Sequence, residues 1–350
     1  MNCREIEISG VRIADDARCF VIAEIGHNHQ GNVDTAKKMI KAAVEAGASA
    51  VKLQKRDNRS LFTAAYYDRP YNSENSFGDT YGEHREFLEF NHDQYKELQN
   101  YSSELGTIFF ATAFDFKSAD FLQNLNVPAF KIASGDLKNL PLINYLADFG
   151  KPLIISTGGG YQEDIDRVVA SLENKKAHYS ILQCTAGYPP AWNELNLGVI
   201  STLRSKFPNP VIGFSSHDNG IAMSVAAYAL GARIVEKHFT LNRTLKGTDH
   251  AFSLEPQGLS KLVRDLDRLH VALGDGVKSQ YASEFDPLQK MGKKIVAARA
   301  LAKGTVLRNE DFEFKSPGDG LPPWMIQEII GKTLTRNLEF EESVFENDYL

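Results

Sequence analysis

Eight short apolar runs recur through the first two thirds of the chain, and they constrain the fold more than any other feature. They are FVIAE (20–24), SAVKLQ (49–54), TIFFA (107–111), AFKIA (129–133), PLIIS (152–156), YSILQC (179–184), PVIGFS (210–215) and RIVEKH (233–238). Each is bounded by glycine, proline or polar residues, as buried parallel strands are. Helical patterns lie between them. VDTAKKMIKAAVEAG (33–47) places Ala36, Ile40, Ala43 and Val44 on one face and stops at Gly47, a C-terminal cap. HDQYKELQNYSSELG (92–106) is a second, and GLSKLVRDLDRLHVALG (258–274) follows the eighth run. Eight such alternations predict an α/β chain with a (β/α)8 TIM barrel over residues 1–274. A doubly wound open sheet is the alternative. It would normally carry a glycine-rich phosphate loop after its first strand, whereas the loop here is GHNHQG. One connection, residues 55–91, is long enough to be a functional loop.

After Gly274 the pattern changes. Residues 275–293 read as a linker, and 294–350 as short strands and turns forming a small β-rich domain. That domain is near the lower limit for folding alone and is expected to dock on the barrel or on a second subunit. Net charge of −6 and a pI near 5.9 argue against nucleic-acid or membrane-surface partners. A few internal lysines can still hold a small anion. The three cysteines, Cys3, Cys19 and Cys184, form no close pair, which predicts a reduced, intracellular protein. The N-terminal MNCREIEISG has no apolar signal core, and no run approaches the ~20 apolar residues that span a bilayer. The expected location is the cytoplasm.

Barrel enzymes carry their reactive groups where strands end and in the loops that follow. Here those positions hold Glu24; Lys52 and Gln54; Thr112; Lys131, Ser134 and Asp136; Ser156, Thr157 and three glycines; Gln183, Thr185 and Tyr188; Ser215, Ser216 and His217; Glu236, Lys237 and His238, with Asp249 beyond. A serine or threonine at such a place is equally a helix cap. The charges inside apolar runs, Lys52, Lys131 and Glu236 to Lys237, say more, because a buried charge needs a partner or a ligand. His217 and His238 end neighbouring strands, about 4.8 Å apart, so both imidazoles can reach one divalent ion. Two histidines with open positions suit a catalytic metal; satisfied core histidines are the alternative. The lysines, Ser134 and the glycine turn can supply charge and N–H donors to a phosphate and a carboxylate. Asp249 and Glu236 can support a metal or act as acid or base. The turn GHNHQG, with His27, Asn28 and His29, reads equally as a metal site, a catalytic acid or a polar turn.

The stretches AEIGHNHQGN, AVKLQ, FKIASGD, LQCTAGYPP, GFSSHDNGIAMSVAAYALGA, VEKHFTL and KGTDHAFSLEP resemble the N-acetylneuraminate (sialic acid) synthase family over nearly the whole chain. The C-terminal segment resembles that family's antifreeze-like (SAF) domain. The insertion RPYNSENSFGDTYGEHREFLEF is more similar to animal members than to bacterial ones. The resemblance implies a transferase that condenses phosphoenolpyruvate with N-acetylmannosamine or its 6-phosphate, giving N-acetylneuraminate or its 9-phosphate. It implies a divalent metal, Mn2+ or Mg2+, held by His217 and His238. Glu24 would handle the proton and water steps, with Lys52, Lys131 and Asp249 as further catalytic groups. Lys52, Thr112, Lys131, Ser134, Ser156 and Ser215 would grip phosphoenolpyruvate, and Gln54, Tyr188 and Glu236 would line the substrate site. It places the metal away from GHNHQG and implies a domain-swapped homodimer.

The chain departs from the family pattern in three places. KSPGDG puts Ser316 where many members carry an arginine that reaches the sugar across the dimer. STGGG stands for STGM, and CTAGYP lacks the asparagine before its tyrosine. Lys55, Arg56 and Arg59 read either as a sugar-phosphate site or as a solvated loop. Two other readings remain: a related keto-sugar-acid synthase with a deaminated or legionaminic-type product, and a non-catalytic sugar-binding protein on the same fold.

Overall fold

The computed structural model describes residues 4–350; Cys3 lies outside them. The chain divides into two compact units, Met1–Gly274 and Asp275–Leu350. The first opens with a hairpin of β1 (Glu5–Ile8) and β2 (Val11–Ala14). Its tight turn runs through Ser9 and Gly10, both at positive φ. Ile6, Ile8 and Ile13 alternate into the main core. Arg4 bonds the Phe207 carbonyl just before one barrel strand, and Arg233, just before another, bonds the Asp15 carbonyl, so the hairpin covers the N-terminal end of the barrel. The E-I-E-I alternation around Ser9-Gly10 carried this signal, although the pattern of apolar runs passes over it.

The barrel strands are β3 (Phe20–Gly26), β4 (Ala50–Lys55), β5 (Ile108–Ala113), β6 (Phe130–Ile132), β7 (Leu153–Ser156), β8 (Tyr179–Cys184), β9 (Val211–Ser216) and β10 (Ile234–His238). They close in sequence order, with β10 pairing in parallel to β3. The closed barrel, not the open sheet, is the architecture, and each apolar run overlaps one strand. The helix Val33–Glu45 buries Ala36, Met39, Ile40 and Ala43. Met39 thus takes the place expected for Val44, which is only half-buried. Gly47 ends that turn at φ 89°.

One irregularity matters for the site. β3 and β4 pair Glu24 with Lys52 and then Gly26 with Leu53, so the register slips at Ile25. Such bulges re-aim side chains near active sites. Gly26 sits at φ 53°, and a Cβ there would meet Glu24 Oε1 at 3.2 Å and Gln54 Nε2 at 3.3 Å. Glycine therefore leaves room for the Glu24–Gln54 contact.

Residues 55–91 fold into short helices, Asn58–Leu61, Ala64–Tyr67 and Tyr81–Leu88. Thr80 and Glu83 form a reciprocal capping box at the start of the last. Phe62, Tyr66 and Tyr71 each meet the ring of Tyr81, its first residue, edge to face.

In the second unit, β11 (Lys294–Ala297) pairs antiparallel with β12 (Phe312–Lys315). Ile295, Leu301, Leu307, Ile329, Leu334, Leu338 and Val344 form its own core. The stretch that reads as a linker contains a helix, Phe285–Met291, and groups with this unit. Apolar residues in FDPLQKM at roughly helical spacing account for it. Ser316 follows β12, its hydroxyl 2.5 Å from Lys293 Nζ. No helix among the described residues is long and apolar enough to cross a membrane.

Candidate active site

A cavity of about 710 Å³ opens at the C-terminal ends of the barrel strands. Glu24, Lys52, Gln54, Thr112, Lys131, Ser134, Ser156, Tyr188, Ser215, His217, Glu236, His238 and Asp249 all line it. Strand alternation explains the selection. Lys52 and Gln54 on β4, and Glu236 and His238 on β10, are two apart and face the same side. Lys237 lies between and faces the other way, donating to the Asp218 carboxylate at 2.9 Å and to its backbone carbonyl at 2.6 Å. Lys237 is thus the satisfied structural charge, outside the cavity lining.

At the floor, two lysines and two glutamates interlock. Lys52 Nζ is 2.7 Å from Glu24 Oε2 and 3.7 Å from Glu236 Oε1. It also donates to Thr112 Oγ1 at 2.8 Å. Lys131 Nζ donates to Ser156 Oγ at 2.6 Å and lies 3.9 Å from Glu236 Oε1. Ser215 donates to Glu236 at 3.2 Å. Gln54 Nε2 donates to Glu24 Oε1 at 2.6 Å. Ser134 Oγ accepts from the Gly158 N–H at 3.0 Å. A Cβ at Gly158 would come within 2.8 Å of that oxygen, so the glycine turn lets backbone approach the hydroxyl.

Burial separates the two acids. It pushes the Glu24 carboxyl up to about 7; Lys52 opposes this, and the neighbouring Glu236 adds to it. Burial also works to raise Glu236, but Lys131 and Lys52 outweigh it and hold the group below its usual value. Burial lowers Lys131, with Glu236 opposing. One carboxyl poised near neutrality beside one that stays ionised is the pattern of an acid–base site.

His217 and His238 stand together beyond this cluster, ring centroids 5.3 Å apart. Burial lowers both, His217 to about 4, so both are neutral at pH 7. His217 Nδ1 lies 3.1 Å from the Thr185 carbonyl; donation there leaves Nε2 as a lone pair. His238 Nδ1 is buried without a hydrogen bond, 3.8 Å from Asp249 Oδ2. Burial favours the neutral Asp249 carboxyl, yet His238 and the Thr248 hydroxyl hold it below its usual value. Among the described residues no group of three or more His, Cys, Asp and Glu side chains forms a closed metal cage. A neutral pair with an orphaned ring nitrogen and a nearby carboxylate fits an open divalent site instead. Tyr188 packs tilted against His217, ring centroids 4.1 Å apart, and Phe252 packs against both imidazoles.

The GHNHQG turn divides its work. Asn28 donates to the Phe239 carbonyl at 2.9 Å and to Ser253 Oγ at 3.0 Å, tying β3 to the loop that carries Asp249. His29 stacks on Phe90 at 4.1 Å and accepts from the Gly31 N–H. Of the basic trio after β4, only Arg56 lines the cavity. Lys55 turns to Glu89 at 2.8 Å, and Arg59 lies over the Tyr67 ring at 3.5 Å. Arg85, from the insertion, lines the cavity as well. No strand end points to it, so the pattern of apolar runs does not reach it.

Residues 39–278 match the NeuB family, and residues 294–348 match the SAF domain. The chain belongs to the NeuB family. It is 42% identical to the N-acetylneuraminate-9-phosphate synthase of Homo sapiens over 94% of this chain and 92% of that one. To the enzyme of the same name from Mus musculus it is 43% identical, with the same coverage. The crystal structure of an N-acetylneuraminic acid (sialic acid) synthetase from Leptospira borgpetersenii, in complex with citrate, superposes with a TM-score of 0.70 at 35% identity. That match covers 81% of this chain and 95% of the other. The NeuB chain is thus a sialic acid synthase by family.

Proposed function

We propose that this NeuB protein condenses phosphoenolpyruvate with N-acetylmannosamine or its 6-phosphate. The products are phosphate and N-acetylneuraminate or its 9-phosphate. The observation that carries the reading is the buried Lys52–Glu24 and Lys131–Glu236 cluster beneath the neutral His217–His238 pair. Phosphoenolpyruvate brings a carboxylate and a phosphate, and the floor offers two ammonium groups ringed by Thr112, Ser134, Ser156 and Ser215. Its arrival draws Lys52 from Glu24. That removes the attraction opposing burial and makes Glu24 a stronger base, which acts from its ionised fraction.

C3 of phosphoenolpyruvate attacks the acceptor's aldehyde carbon, whose oxygen takes up a proton from solvent. Water adds at C2, giving one proton to Glu24; the bond from C2 to the phosphate oxygen then breaks, and the remaining hydroxyl proton leaves with phosphate as the C2 keto group forms. Glu236, held ionised, stabilises positive charge developing at C2. Gln54 keeps Glu24 aimed, and Tyr188 walls the acceptor side against His217. His217 and His238 would hold a Mn2+ or Mg2+ ion, with Asp249 alongside. Such an ion polarises the aldehyde oxygen as a Lewis acid.

The protein works in the cytoplasm as a homodimer in which the second unit of one chain serves the other. Light scattering near twice the chain mass of 39.0 kDa tests the dimer. Incubation with both substrates and Mn2+ is expected to yield a nine-carbon α-keto acid by mass spectrometry. Consumption of phosphoenolpyruvate without any sugar adduct would refute the reading.

A further inference from the structure

Gln54 stands between a group that can only donate and one that, when ionised, can only accept. Arg56 Nη2 donates to Gln54 Oε1 at 2.8 Å, and Gln54 Nε2 donates to Glu24 Oε1 at 2.6 Å. A guanidinium has no acceptor, and a carboxylate has no hydrogen to give. Turned over, the Gln54 amide would set its NH2 against the guanidinium and its oxygen against the carboxylate. Arg56 therefore dictates which end of the amide Glu24 meets. Hydrogen bonds in a row polarise one another, so the charge of Arg56 also strengthens the donation to Glu24.

Arg56 is itself firmly held. It is 8% exposed, its guanidinium lies 3.7 Å over the Phe114 ring, and Nη1 is 3.3 Å from His27 Nε2. Its backbone N–H donates to Glu89 Oε2 at 3.3 Å. Burial lowers its pKa only to about 10, so it stays charged at neutral pH. The strand end is pinned as well, since the Gln54 carbonyl accepts from the Tyr95 hydroxyl at 2.7 Å. With Oε1 of Glu24 taken by Gln54, its other oxygen, Oε2, is the one that faces Lys52, 2.7 Å away. Oε2 is thus the atom set free when Lys52 turns to an incoming anion.

We propose that Arg56 is a positioning residue for this reaction: acting through the Gln54 amide, it holds Glu24 by Oε1 and leaves Oε2 as the oxygen that faces the reacting water. This rests on the synthase reading and adds to it a residue that acts without touching the reacting atoms. The row Arg56–Gln54–Glu24 runs in one direction only, from the wall of the cavity to its floor. Removing its first member frees the amide to turn away, and the carboxylate then loses the contact that fixes its plane.

The test is a kinetic double-mutant cycle on the full chain with Mn2+. Phosphate release is followed with N-acetylmannosamine and with its 6-phosphate in wild type, Arg56→Met, Gln54→Leu and the two combined. Arg56→Met should lower kcat about 10–100-fold, the scale of a lost orienting contact beside a reacting group, with KM for phosphoenolpyruvate and for the sugar nearly unchanged. In the Gln54→Leu background the same substitution should cost no more than about twofold, because the path to Glu24 is already cut. Arg56→Lys, which can still donate to Gln54, should recover part of kcat; it takes the place of Arg56→Met in the cycle if that variant does not fold. A raised KM with kcat intact, or an equal loss in both backgrounds, would show Arg56 acting on a substrate directly and overturns the proposal. If wild type releases phosphate with neither sugar, the synthase reading fails by itself. Crystal structures then decide the relay: Gln54 drawn away from Glu24 in Arg56→Met supports it, and Gln54 still bonded to Glu24 Oε1 overturns it.

Discussion

Lys52 and Lys237 lie on neighbouring regions of one barrel, both buried and both beside a carboxylate, yet they do different work. Lys52 faces the cavity and touches Glu24 and Glu236. Replacing it by methionine should lower kcat/KM by at least about 10²–10³-fold while the protein still folds, since it removes a preorganised cation. Lys237 faces outward to Asp218. Its replacement by methionine leaves an uncompensated buried carboxylate, a loss of about 3–5 kcal/mol, read by urea unfolding. Glu24 sets the pH profile. Its folded value is raised to about 7, so below that pH it carries a proton and cannot accept one from water. The acid limb of kcat/KM should therefore fall near neutrality rather than near pH 4–5. A limb at pH 4–5 would remove Glu24 as the base.

At the scale of elements, the strands and the residues ending them were legible because buried parallel strands leave continuous apolar runs, and a charge inside one stands out. Lys131 in AFKIA and Glu236 in RIVEKH are of this kind. What period-two reading alone does not give is the bulge at Ile25, set by register against β4. Nor does it give Arg85, which a folded insertion delivers from far outside the strand ends. Asn28 was legible only as part of a turn; its partners Phe239 and Ser253 are more than 200 residues away. Asn28→Ala leaves the buried Phe239 carbonyl unpaired and takes one of the two hydrogen bonds of the Ser253 hydroxyl, at a cost of about 1–3 kcal/mol. It should also raise the acceptor KM by loosening the Asp249 loop. A stability loss with unchanged kinetics would confine Asn28 to the fold.

For the whole molecule, each unit has its own core and its own charge balance. In the second, burial tends to raise the Asp348 carboxyl, but Arg336 and the Phe345 N–H hold it below its usual value. A depressed carboxyl contributes stability above its unfolded value of about 3.9, lost as pH falls through the folded value. Asp348→Asn should thus destabilise this unit at pH 7, with the difference from wild type shrinking toward about pH 3. Trp324 fluorescence in a Trp192→Phe background reports it, those being the only two tryptophans.

The synthase account itself is tested most directly by phosphate release from phosphoenolpyruvate with Mn2+, with and without N-acetylmannosamine or its 6-phosphate, before and after chelation. The account predicts release that requires the sugar, stops on chelation and returns when Mn2+ is restored. Release indifferent to the sugar, or no release while phosphoenolpyruvate still binds, would contradict it.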